Sequence, residues 1–206
     1  MSLTVGLAIF AGAVATGTAS YIRATGSEAG TIRERIGMES AAATVLGRAA
    51  EGLTVQAETE VAINGVTYRV SLTPTSQKVD LATDNETALT QAAEAVGIVV
   101  DSELARSATG LANLSNLLRL NASDEDCLRA RFTYGRGGQS RSEGDRPPAL
   151  TVAPGDQLDV RVASNVVPGT VLWMRARFLD QAWALHDYRR LQGVTVCETQ
   201  GSPGPH

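Results

Sequence analysis

The sequence predicts an α+β fold in which a long N-terminal helix packs on an antiparallel sheet and a small all-helical insertion interrupts the strands. Three observations carry this. An uncharged stretch from Met1 to Ile22 runs on into a segment of helical period that ends near Gly52. After Gly52 the apolar residues recur at every second position, around the pair Asn64-Gly65. Between residues 77 and 128 the period becomes helical again, and strand patterns resume beyond it.

The first segment is long enough to cross a bilayer, for which about 20 apolar residues are needed. Gly6, Gly12 and Gly17 interrupt it, and Thr4, Thr16, Thr18 and Ser20 dilute it. Residues 1–22 read as the transmembrane half of the N-terminal helix and residues 23–52 as its amphipathic half. Ala8, Gly12, Thr16 and Ser20 recur at every fourth position, which places small side chains on one helix face where another helix can approach closely. Two other readings stay open. One is a cleaved secretory signal with Gly17-Thr18-Ala19 at its cleavage site, although no Lys or Arg precedes the apolar run. The other is a buried core helix. In the second half Ile32, Ile36, Ala43, Leu46 and Ala50 fall near one face, with Leu53 just beyond. Arg33, Glu34, Arg35 and Arg48 lie largely elsewhere, and Glu39 intrudes on the stripe.

Residues 53–76 and 129–199 are expected to form the sheet. Asn64-Gly65 predicts a tight hairpin turn, because both central residues must accept positive φ. Val55, Ala57, Thr59 and Val61 on one side of it, and Val66, Tyr68 and Val70 on the other, alternate with mostly polar residues. One face is therefore buried, and the amphipathic half of the N-terminal helix is its natural cover. Pro74 ends the hairpin.

In the insertion, Asp84 or Asn85 caps a helix that Gly97 stops, and Asp101 or Ser102 opens another through Ala108. Leu111–Leu120 and Ser123–Leu128 read as two more. Arg129–Tyr134 returns to a strand pattern, and residues 135–148 are a Gly-, Pro- and Ser-rich loop. Gln157–Ala163, Val171–Phe178 and Trp183–Leu191 are three further strands. Tyr188 falls out of phase with Trp183 and Leu185 in the last of them. Residues 200–206 read as a disordered tail.

Composition narrows the chemistry. The net charge of −4 over 206 residues gives a nucleic acid nothing to bind by charge alone. The only cysteines are Cys127 and Cys197 and the only histidines are His186 and His206, so a zinc site has little to draw on. A Cys127–Cys197 disulfide and two small buried thiols are equally open readings.

Gly135-Arg136-Gly137-Gly138 follows a strand but lacks the helix N-terminus of a phosphate cradle. Asp124-Glu125-Asp126 offers oxygens to calcium, yet reads more simply as favourable charge at the start of a helix. His186 and Asp187 are strand neighbours and point to opposite sides. Trp173 and Trp183 read as sheet-packing residues. No enzymatic activity and no cofactor are expected.

Three stretches carry a family resemblance. The first is the apolar helix leading into residues 32–52, which is Ala-rich at its end. The second is Val66–Val70 followed by Lys78-Val79-Asp80-Leu81-Ala82-Thr83-Asp84. The third is Val171–Phe178 with Trp183–Arg190. Their order resembles the type IV pilin-like plan, and most closely the K-type minor pseudopilin of the type II secretion system. The second stretch is similar to that family's Asp-Leu-Asn-x-Ala lead into a helical insertion, with Ala82 in place of the Asn.

Major pilins carry a glutamate near the start of the mature helix. Here the apolar run has no acid and Val5 stands in that neighbourhood, as is usual for the K-type subunit. The resemblance implies a structural subunit at the tip of the pseudopilus that supports protein export across the outer membrane. It implies a single pass through the bacterial inner membrane, a soluble domain in the periplasm, and partners among the other minor pseudopilins through their N-terminal helices. Other readings are a minor pilin of a type IV pilus, and a membrane-anchored or secreted binding module of the envelope.

Overall fold

A computed structural model describes residues 29–135, 149–180 and 182–195. Over these residues the chain is α+β, with helices on both faces of an antiparallel sheet. Residues 1–22 with their small-residue stripe, most of the 135–148 loop, and the 200–206 tail lie outside the described residues.

The sheet is built from β2 (Glu58–Ile63), β3 (Val66–Pro74), β7 (Gln157–Ser164), β8 (Val171–Leu179) and β9 (Ala182–Leu191), in that spatial order. Every pairing in it is antiparallel. Asn64 (φ 50°) and Gly65 (φ 80°) make the expected turn between β2 and β3. The short β1 (Val55–Gln56) leaves the hairpin and pairs instead with β6 (Ala149–Leu150).

In β9 the register slips: Arg175 lies opposite Asp187, and Ala176 opposite Leu185. His186 is the extra residue of this bulge. The slip explains the phase break in the sequence. Trp183 and Tyr188 are separated by an odd number of positions, yet both reach α1.

Helix α1, residues 29–50 as described, covers one face of the sheet. Met38, Ala41, Ala42, Val45, Leu46 and Ala49 are its buried positions. Their spacing of three and one is that of a single helical stripe. They share a core with Val61, Tyr68, Val70, Leu72, Leu158, Val160, Val162, Leu172, Met174 and Ala176.

The stripe expected through Ile32, Ile36, Ala43, Leu46 and Ala50 is thus corrected: of these only Leu46 is fully buried. Ile32 and Ile36 are more than half exposed, because apolar contact with the sheet begins only at Gly37. The alanines of the observed stripe let the helix lie close against larger strand residues, a choice that periodicity alone does not make.

Gly37 marks the closest approach. A Cβ at this position would stand 2.0 Å from the Tyr68 hydroxyl and 2.6 Å from its Cζ. Tyr68 is a rigid ring, only 4% exposed, so it has little room to yield. Alanine favours a helix over glycine by about 1 kcal/mol. Overpacking costs roughly 1–3 kcal/mol. Gly37→Ala is therefore expected to lower the urea midpoint despite its better helix propensity. An unchanged or raised midpoint would show that Tyr68 moves aside freely.

The insertion follows β3 through a 3₁₀ turn (Thr75–Gln77) and β4 (Val79–Asp80). It contains α2 (Glu86–Ala95), α3 (Ser102–Ser107), α4 (Leu111–Leu117) and α5 (Ala122–Arg131), and ends in β5 (Phe132–Thr133). Side-chain oxygens cap three of these helices. Asn85 accepts from the Ala88 amide, Asp101 from Leu104, and Asn121 from Ser123 and Asp124.

The strand expected over Arg129–Tyr134 is shorter than the pattern suggested. Residues 129–131 continue α5, held by the Arg129–Glu125 pair one turn apart, and only Phe132 and Thr133 are extended. Leu81, Leu89, Leu111, Leu114, Leu128 and Phe132 anchor a second core that shares no residue with the first.

Candidate functional site: exposed helix isoleucines and a buried ionic layer

Two features of the surface and interior stand out from the packing. The first is the part of α1 described before its apolar contact with the sheet begins, residues 29–36. Ile32 is 56% exposed and Ile36 54%, on a helix whose later turns are bound to the sheet. The contacts that hold this stretch are polar and come from β9. Arg190 donates to Glu34 (3.0 Å) and the Tyr188 hydroxyl to Glu39 (2.8 Å). Further along, the Trp183 indole N–H donates to the Leu46 carbonyl (2.7 Å) while its ring packs against Phe178 at a 40° tilt. β9 is thus fastened along α1, and the exposed isoleucines project beside this seam.

The second feature lies on the opposite face of the sheet. Alternation along β7 and β8 puts Leu158, Val160 and Val162 toward α1, and so turns Asp159 and Arg161 the other way. Trp173, Arg175, Asp187 and Arg189 share that second face through the register of β8 and β9. Charged strand residues usually meet water, but here α5 covers them. Asp126 of α5 accepts two bonds from Arg161 (2.9 and 2.8 Å) and one from the Trp173 indole (2.7 Å). Glu125 accepts from Arg189 (3.0 and 3.2 Å), Arg129 (3.0 Å) and the Ser115 hydroxyl (3.0 Å). Arg129 also reaches Asp187 (2.8 Å).

At the centre Asp159 accepts from Lys78 (2.6 Å) and from two nitrogens of Arg175 (2.8 and 3.2 Å). The Lys78 ammonium also bonds the Arg129 carbonyl and lies 5.0 Å from the centre of the Trp173 ring.

The electrostatics follow from this crowding. Burial pushes the Asp159 carboxyl up, but Lys78 and Arg175 outweigh it and hold the group below the usual carboxylate range. Burial likewise raises Glu125, and Arg189 and Arg129 bring it below its ordinary value. Lys78 moves down: burial lowers it, and Asp159 only partly offsets this because Arg175 and Arg129 add like charge nearby. The two partners therefore differ. At Lys78 burial outweighs the single carboxylate, whereas Asp159 draws on two cations that together outweigh its own burial.

This arrangement decides the sequence candidates. Asp124 accepts from the Asn121 amide group (2.8 Å) at the helix start, as expected. Glu125 and Asp126 are not exposed dipole charges: they are 3% and 2% exposed and committed to arginines. The three acids point apart, and no group of metal-holding side chains occurs among the described residues. His186 is exposed, and Asp187 is bound to Arg129 rather than to it. Trp173 and Trp183 pack on opposite faces of the sheet. Gly135 closes a turn, its amide donating to Asp80 (3.2 Å), and residues 136–138 lie outside the described residues.

Cys127 is disulfide-bonded, and Cys197 lies outside the described residues. Reduction is expected to lower the unfolding free energy by about 2–5 kcal/mol, read as a drop in Tm with added thiol. An unchanged Tm would make the bond structurally idle. Ala8, Gly12, Thr16 and Ser20 also fall outside the described residues. Among the described residues no helix is long and apolar enough to cross a membrane.

No protein-family model, curated protein or solved structure matches the chain. The layered geometry and the residues themselves are what any functional reading must rest on. Asp159, Arg161, Arg175 and Arg189 were not singled out from sequence, and Lys78 only as part of a stretch of family likeness. The available signal was the alternation of both charge signs along one face of three neighbouring strands.

Proposed function

We propose that the chain is a structural subunit of a pilin-like assembly, and specifically a K-type minor pseudopilin at the tip of a type II secretion pseudopilus. In this reading residues 1–22 hold it in the bacterial inner membrane, and the α+β domain stands in the periplasm. The observation that carries the proposal is α1. It is a helix laid along one face of an antiparallel sheet, with Ile32 and Ile36 left uncovered in its first described turns. A helix that runs on from an apolar segment and exposes such residues has a surface for the helices of other minor pseudopilins. The helical insertion on the far face adds bulk where a further subunit would stack, which favours a terminal position.

N-terminal sequencing of the protein extracted from membranes tests this. A start immediately after a leader glycine, with the apolar run retained, supports pilin-type processing. A start near Ser20 overturns it and favours a secreted binding module. Ile36→Asp gives a second test, because the residue is exposed and the domain is expected to keep its far-UV circular dichroism. Co-purification with the other minor pseudopilins is expected to fall at least tenfold. Unchanged recovery would remove α1 from the interface.

A further inference from the structure

We propose that the helical unit between Val79 and Thr133 is a separately folding module, latched to the sheet by the buried ionic layer and, once the disulfide of Cys127 is reduced, releasable as a body while both cores stay intact. The unit closes on itself. Its first and last strands pair in parallel, Val79 with Phe132 and Asp80 with Thr133. The Leu81 amide donates to the Thr133 carbonyl (2.9 Å). Asp80 accepts from both Ala82 and Gly135, fastening the two chain crossings together. The apolar core inside this neck has no member in common with the core under α1.

What joins the module to the sheet is different in kind. Asp126 meets Arg161 and Trp173, Glu125 meets Arg189, Arg129 meets Asp187, and Lys78 meets Asp159 beside the neck. The apolar share of the contact is small, with Ala122 and Ala130 of α5 against Val171, Trp173, Leu191 and Val194.

A hydrophobic interface strongly disfavours opening, because its surfaces have no good alternative in water. Ion pairs do have one: on release each charge regains its hydration, so the docked and released states lie closer in free energy. Removing the charges of one side alone strands those of the other. That tips the balance toward release without touching either core.

Trp173 reports on this interface. It is 4% exposed, and the chain's other tryptophan, Trp183, can be silenced as Trp183→Phe. In that background, with thiol present so that the disulfide of Cys127 does not tether the module, Glu125→Gln combined with Asp126→Asn removes the two α5 anions that face the sheet. The expected result is a red shift of Trp173 emission and a several-fold rise in acrylamide quenching. Slow-exchanging amides of α2, α5, β3 and β7 are expected to keep their protection.

An unshifted emission overturns the ionic latch. A shift accompanied by loss of protection in α2 and α5 overturns the separate module. Should the double variant fail to fold, the single-tryptophan chain with native anions decides in a urea titration. Trp173 exposure ahead of the far-UV transition supports the proposal, and coincident transitions overturn it.

Discussion

Asp159→Ala is expected to lower the unfolding free energy by about 3–5 kcal/mol, the usual cost of removing one partner of a buried ion pair. The carboxylate side chain is 6% exposed and Lys78 1%, so deletion takes this carboxylate from a buried ammonium. Arg175 loses the same partner. Replacing Lys78 and Asp159 together by apolar residues of similar volume is expected to cost less, since the buried ammonium goes with its carboxylate and only Arg175 is left without its partner. Urea unfolding of the three variants checks this. Equal losses for the single and the double change would mean that the site is held by packing rather than by charge.

Acid acts on the same groups. Asp159 and Glu125 both titrate below their ordinary values in the folded chain. Their contribution is therefore complete above the unfolded carboxylate range, about 3.9–4.3, and is lost as pH falls through the lower folded values. Lys78, with its folded value lowered, has the opposite consequence at the alkaline end. The unfolded chain there binds more protons, so stability rises as pH climbs toward the unfolded lysine value. Thermal midpoints measured from pH 7 down to pH 2 are expected to fall steeply in the wild-type chain and less steeply in Asp159→Ala. Parallel curves would exclude Asp159 as a source of the acid sensitivity.

Phe132→Ala is the second large effect, expected to cost about 3–5 kcal/mol as a large-to-small change at a sealed core position. Phe132 is fully buried in the insertion's own core and pairs with Val79 at its neck. The loss should be local in consequence. Hydrogen exchange should quicken across residues 79–135 before it quickens in β7 and β8. A uniform loss of protection across the sheet would show that the two cores unfold as one.

Local signals in the sequence located most of the elements. Asn64-Gly65 marks its turn because positive φ admits few residues, and Asn85 and Asp101 mark helix starts because their short oxygens reach the next turn's amides. The strands β7 and β8 were visible as clean alternation. What stayed hidden depends on partners far along the chain. Glu125 and Asp126 look like favourable charge at a helix start and Arg129 like the first residue of a strand, and only Arg161, Trp173, Asp187 and Arg189 make their burial on α5 tolerable. The buried stripe of α1 was misplaced for a related reason. Its alanines carry weak hydropathy, and their value lies in letting Gly37 meet Tyr68, which periodicity does not register. The bulge at His186 likewise left no mark beyond an apparent irregularity.

The joined ends of the insertion bear on the order in which the chain reaches its final form. β3 must find β7 across more than 80 intervening positions, and such distant pairing is slow. Once Val79 and Phe132 are zipped together, most of that stretch is spanned by a compact unit rather than a loose coil, and the search shortens. The hairpins joining β7, β8 and β9 need no such help. The last-made ribbon can therefore gather itself first, receive β3 at one edge, and close over the waiting helix with the other.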